Sequence, residues 1–162
     1  MLYVFGILAA LCAPASAQEA GQPDPRLVSC IAHIVYGEAR SEPIEGQYMV
    51  AWSLIFRAAV NQPDFGGSDI CDVAYKYKSS RNRWQYDGAK TAPKDNRAWY
   101  VSLYVATMTL MGQGEPNLPI MYFCAPGSCK WHERDAVYVG QVGGHRFYLD
   151  PRFPAIVEAS AQ

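Results

Sequence analysis

The chain is expected to fold as an α+β domain, a helical lobe followed by a small antiparallel β-sheet. Three observations predict this. Apolar residues recur at helical spacing in four stretches before Gly112. After residue 119 the spacing changes to two. Gly143-Gly144 then separates two alternating runs, as a two-residue hairpin loop does. Helices first and strands last is the α+β order. With 162 residues, half of them apolar, the length suits one domain and excludes a disordered chain. The formal net charge of −1 excludes a global basic field, so nucleic acid is not an expected partner.

Residues 1–17 carry no charge, hold a short apolar run, and end Ala15-Ser16-Ala17. They read as a secretory signal peptide cut before Gln18. An uncleaved anchor is the alternative, but the apolar run is far short of the ~20 residues of a membrane span. No stable membrane insertion is expected after cleavage, and localisation should be periplasmic or secreted. Cys12 follows Leu11 rather than a small residue, which argues against lipidation. Residues 18–24 form a polar, mobile leader. The domain itself should cover 25–150, with a tail at 151–162.

The first helix starts with Asp24 as N-cap and Pro25 in its first turn. Leu27, Ile31, Ile34 and Val35 mark its apolar stripe to about Arg40. Pro43 opens a second helix with Tyr48, Ala51, Trp52, Ile55 and Ala59 on one face. Ser68 or Asp69 caps a short third helix reaching Tyr77. Residues 78–94 show no clean period. A fourth helix runs from about Asp95 to Gly112, carrying Trp99, Leu103, Ala106 and Leu110. Residues 120–124 read as a strand, and 137–142 and 145–149 as a hairpin.

Beyond Cys12 there are four cysteines: Cys30, Cys71, Cys124 and Cys129. An even set in an exported chain suggests two disulfides. Cys124 and Cys129 flank the turn-forming Ala-Pro-Gly-Ser, which suggests a local bridge and leaves Cys30 for Cys71. Zinc is the competing reading, but no C-x-x-C spacing supports it. No cofactor or metal is expected.

Glu38 is the strongest catalytic candidate. It lies seven residues after Ile31, nearly two helical turns, and so shares the apolar stripe. Burial there would raise its pKa and keep it protonated, as a general acid on a glycosidic oxygen requires. The structural alternative is a helix-end glutamate paired with Arg40 or Arg57. Glu42 and Glu45 read as structural, so a two-carboxylate glycosidase is not clearly encoded. Residues 76–97 carry a local net charge of +5 around Trp84 and Tyr86. Such a loop suits an anionic sugar polymer, though also single-stranded nucleic acid or plain solvent. His33 reads as a packing or surface residue and His132 as part of a hydrated loop. His145, beside Phe147, is a candidate to line a site.

Tyr36-Gly37-Glu38-Ala39-Arg40, followed by Glu42-Pro43-Ile44-Glu45-Gly46-Gln47, resembles the SleB/CwlJ-type cell wall hydrolases. So do Val50-Ala51-Trp52 through Arg57, Ile70-Cys71-Asp72-Val73-Ala74-Tyr75, and Val142-Gly143-Gly144-His145-Arg146-Phe147-Tyr148. The segment from Trp84 to Gly88 resembles a family region ending in Asp-Gly. The resemblance spans roughly 27–149. It implies a lysozyme-like, lytic-transglycosylase-like cleft with Glu38 as the catalytic acid, acting alone on peptidoglycan glycan strands. It also suggests Tyr36, Gln47, Trp84, Tyr86, Tyr122, His145 and Phe147 as substrate-binding residues, in a monomer. Ile120, Met121, Tyr122 and Phe123 stand where the family often has T-H-Y-H, so only the Tyr is kept. That departure leaves open a degenerate module that binds the wall without cutting it, or an envelope partner protein.

Overall fold

The computed structural model describes residues 21–130 and 132–153, His132 and Glu133 by backbone alone. The expected signal peptide, the first residues of the leader and residues 154–162 of the tail lie outside them.

Helix α1 (Pro25–Ala39) begins as its sequence dictates: Asp24 accepts from the Arg26 N–H at 2.8 Å, with Pro25 in the first turn. It buries Ile31, Ala32, Ile34, Val35 and Ala39 completely. Helix α2 (Ile44–Ala59) starts after Pro43 and buries Val50, Ala51 and Leu54 against α1. Helix α3 (Ile70–Ala74) is capped by Asp69, which accepts from the N–H groups of Cys71 and Asp72. It stops three residues before the expected Tyr77, because the chain enters a strand there. Helix α4 (Asn96–Leu110) is capped by Asp95 and lies along α1, with Val105 and Ala106 in the shared core.

The stretch without a clean period is ordered. It folds as a small antiparallel pair, β1 (Tyr77–Lys78) and β2 (Arg83–Trp84), joined by a 3-10 turn at Ser79–Arg81. Asn82 takes a left-handed φ of 49° to close that turn. A second 3-10 turn, Asp87–Lys90, follows. Two-residue strands are too short for alternation to betray them.

The main sheet has the order β3-β5-β4, from β3 (Tyr122–Cys124), β4 (Val137–Val142) and β5 (His145–Leu149). Tyr122 pairs with Tyr148, and Val142 with His145 across the Gly143-Gly144 turn. The expected strand at 120–124 begins only at Tyr122. A short helix, α5 (His132–Asp135), replaces the loop expected there. Two disulfides form, Cys30–Cys71 between α1 and α3, and Cys124–Cys129 at the end of β3. No described helix is long and apolar enough to cross a membrane.

Candidate active site

Glu38 sits in the last turn of α1, half-buried, in a cleft of about 330 Å³. Its surroundings come from a close backbone approach. A Cβ on Gly37 would lie 2.2 Å from the Cα of Gly88, so the two glycines let the second 3-10 turn rest directly on the helix. That contact brings the Gly88 N–H to Oε1 of Glu38 at 2.5 Å. The carboxyl also sits at the negative end of the helix dipole, which disfavours its ionised form. Burial pushes its pKa above the usual carboxylate range, and the charge of Asp87 adds to this. The Gly88 hydrogen bond and, more weakly, Arg57 oppose it. The result is a carboxyl oriented by a backbone donor, in surroundings that favour its neutral form.

Arg57 lies beneath the cleft, 7% exposed. Its Nε donates to the Met121 carbonyl at 2.7 Å. Its guanidinium lies 4.9 Å from the centre of the Tyr86 ring and 5.3 Å from those of Phe65 and Tyr122. Three aromatic faces and a carbonyl offset the desolvation of a buried cation. Tyr122 gives the cleft a ring rather than a free hydroxyl. Its O–H donates to Asp150 Oδ2 at 2.5 Å and accepts from Arg152 at 3.1 Å. Burial, together with the Asp150 contact, pushes this phenol up to about 12.

The opposite lobe contributes His145, whose ring packs edge-on against Phe123 with centres 5.3 Å apart. The turn just before it is anchored by Glu42. One Glu42 oxygen accepts from the Gly144 N–H at 2.7 Å, and the other lies 3.9 Å from His145 Nδ1. Burial pulls the His145 pKa down, against the pull of Glu42, so the ring stays neutral at neutral pH. A Cβ on Gly143 would stand 2.0 Å from the Glu42 carboxylate, and φ there is +55°. Both facts explain a glycine at this turn. The remaining lining includes Lys78, Arg81, Arg83, Trp84, Gln85 and Asp87, and the Cys124–Cys129 loop closes one end. Among the described residues, no three His, Cys, Asp or Glu side chains converge as metal ligands.

The family profile of cell wall hydrolases matches residues 41–148. The chain belongs to the cell wall hydrolase family. The matched span starts three residues after Glu38, whose place in the site therefore rests on the geometry above. The hydrolase is also similar in fold to the catalytic domain of the germination-specific lytic transglycosylase SleB from Bacillus anthracis. That match has a TM-score of 0.55 and 19% identity, and covers 78% of this chain and 97% of that domain. Among curated proteins, none shows significant sequence similarity.

In this cell wall hydrolase, Glu38, Trp84, Tyr86, Tyr122 and His145 share one cleft. Three residues expected to bind substrate are not in its lining. Tyr36 is two residues before Glu38, roughly 200° around the helix. It is buried, and its hydroxyl accepts from the N–H groups of Lys94 and Asp95 at 2.9 and 3.0 Å, pinning the start of α4. Gln47 is 5% exposed, and its Nε2 donates to the Glu42 carbonyl at 3.0 Å, bracing the loop that carries Glu42. Phe147 shares a strand face with His145 but lies two residues deeper and is fully buried. His33 is a packing residue, bridging Tyr75 and the Thr91 carbonyl at 2.9 and 2.8 Å.

The structure adds Arg57, Lys78, Asp87, Gly88 and Glu42 to the site. Arg57 had a readable signal, since it follows Val50 by seven residues, as Glu38 follows Ile31. Gly88 carried only the resemblance to a family region ending in Asp-Gly, and nothing local marked its contact with Glu38, made 50 residues away along the chain.

Proposed function

We propose that this cell wall hydrolase is an exported peptidoglycan glycosidase that cuts the β-1,4 bond between N-acetylmuramic acid and N-acetylglucosamine as a lytic transglycosylase. The observation that carries the reading is Glu38 itself: a half-buried carboxyl, held by the Gly88 N–H, with its pKa raised by burial. The protonated Glu38 gives its proton to the glycosidic oxygen as the bond to C1 of the muramic acid breaks. The resulting carboxylate then takes the proton of the 6-hydroxyl of the same sugar. O6 closes on C1, a 1,6-anhydro ring forms, and Glu38 is protonated again. One carboxyl thus serves both steps. The two disulfides fit an oxidising compartment outside the cytoplasm.

A second reading is favoured by one observation. Asp87, exposed at the cleft, is a second carboxylate in its lining. With Asp87 activating water, the same acid would yield a reducing sugar, as a muramidase does.

The test is incubation with purified sacculi and mass spectrometry of the soluble products. Anhydro-muropeptides are expected from the wild type, with release reduced by ~10²–10⁴-fold in Glu38→Gln. Products heavier by one water, lost in Asp87→Asn, would replace the transglycosylase with a muramidase. Undiminished release by Glu38→Gln would remove Glu38 from the chemistry. Binding to sacculi with no products from either protein would leave a wall-binding module.

A further inference from the structure

Glycosidic cleavage builds positive charge on the sugar ring. Yet Arg57, Lys78, Arg81 and Arg83 line the same cleft as Glu38, with Asp87 the only other carboxylate in the lining among the described residues. Cations beside a developing oxocarbenium ion raise its energy unless the substrate supplies compensating negative charge.

Two of these cations are placed against the ordinary rules of a hairpin. Lys78 and Arg83 stand directly opposite each other on β1 and β2. Side chains so paired project from one face, and like charges there are destabilising. Both line the cleft. Lys78 is half-buried, and its side chain makes no hydrogen bond or ion pair among the described residues. It also lines the adjoining cavity of about 500 Å³, so it stands where the two spaces meet. The charged groups acting on it are Arg57, Arg81 and Arg83, against Asp64. Burial and then these cations pull its pKa down to about 8. An ammonium in such surroundings gains more from a bound anion than one in open water.

We propose that Lys78, with Arg83 across the hairpin, forms a carboxylate-binding subsite that restricts this enzyme to acidic glycan. The carboxylate belongs to the muramic acid, on its stem peptide or, on a stripped strand, on its lactyl group. A neutral polymer of N-acetylglucosamine offers neither. The subsite deepens the reading of the cleft as a peptidoglycan site, but its test does not depend on cleavage.

The Glu38→Gln protein is titrated by calorimetry with three ligands: a neutral chito-oligosaccharide, a muropeptide tetrasaccharide with its stem peptides, and the same tetrasaccharide stripped by an amidase. At least one carboxylate-bearing ligand is expected to bind about tenfold tighter than the neutral one, and Lys78→Met to erase most of that preference. Lys78→Arg, which keeps the charge, should retain it. A preference for the stripped ligand alone assigns the lactyl carboxylate, one for the peptide-bearing ligand alone assigns the stem, and one for both shows that the subsite takes either carboxylate. Arg83→Gln, at an exposed position, gives the same readout should Lys78→Met not fold. Equal affinity for all three ligands, or a preference unchanged in both variants, would overturn the proposal. Neither result bears on Glu38, whose failure would appear only as continued release from sacculi.

Discussion

The wall of the cleft that carries Glu38 and the wall made by β1 and β2 are held in different ways. Helix α1 has fifteen residues and packs on α2, α3, α4 and the second 3-10 turn. Glu38 rides on its last turn, where the Gly37–Gly88 contact leaves no room for a side chain. Strands β1 and β2 have two residues each, and no residue of either is fully buried. Gln85 tethers this wall, donating to the carbonyls of Phe65 and Val73 at 3.2 Å each. The group proposed to transfer protons is on the element with the most packing, where displacement is most costly. Of the charged groups proposed to select substrate, Arg83 stays exposed on its short strand, while Lys78 is half-buried there and bears a desolvation cost that a bound anion would offset.

Removing the disulfides should sharpen this contrast most. Cys30–Cys71 closes a separation of 41 residues and holds α3 to α1. In the chain-entropy account its loss costs about 4 kcal/mol, against about 2 kcal/mol for the local bridge. Cys124–Cys129 spans 5 residues, but Cys124, Ala125 and Ser128 line the cleft. In chemical denaturation, Cys30→Ser with Cys71→Ser should lose more stability yet keep its KM on sacculi while folded. Cys124→Ser with Cys129→Ser should lose less stability and change KM. The reverse assignment would break the distinction between a structural wall and a substrate-facing one.

A methyl group at Gly37 should come next. Its Cβ would overlap the Gly88 backbone, so turn and helix must separate, at a cost of about 1–3 kcal/mol. The Gly88 N–H would move off Glu38, so kcat should fall while KM holds. Gly88→Ala should be milder, because its nearest contact is 3.0 Å. A normal kcat in Gly37→Ala would show that the backbone donor does not orient the acid.

The smallest effect is on stability against pH. The folded-state pKa of Glu38 is raised, so the folded protein keeps a proton that the unfolded chain releases. The contribution of this group is full below the unfolded carboxyl pKa and is lost as pH rises through the folded one. Glu38→Gln removes that loss. Its Tm relative to wild type should therefore rise between pH 4 and pH 7, even as activity disappears. A flat difference across that range would mean that Glu38 ionises as an ordinary surface carboxylate.

Much of the frame was legible because its signals are local. Asp24, Asp69 and Asp95 each cap the helix that follows. Glu38 could be placed on the buried stripe from its spacing to Ile31 alone. At β5 the resemblance named two residues that the structure places differently. His145 and Phe147 share a strand face, but alternation gives the side of a sheet and not the depth. Only the packing of Phe123 over both rings separates the rim from the core. Tyr36 shares the Tyr36–Arg40 motif of the resemblance with Glu38, but the helix turns the two side chains apart.

From the sequence alone came the α+β class, four of the helices, the final hairpin, the two disulfide pairings and one candidate acid. Each follows from periodicity, capping or residue identity over a few neighbouring positions. Tertiary structure decided which groups surround that acid. Gly88 reaches it from 50 residues away, and Glu42 anchors a turn 102 residues distant. Lys78 and Arg83 face one space only because two strands too short to announce themselves pair across a turn. Contacts between distant segments depend on how whole elements pack, and nothing in the local pattern of either segment records the other.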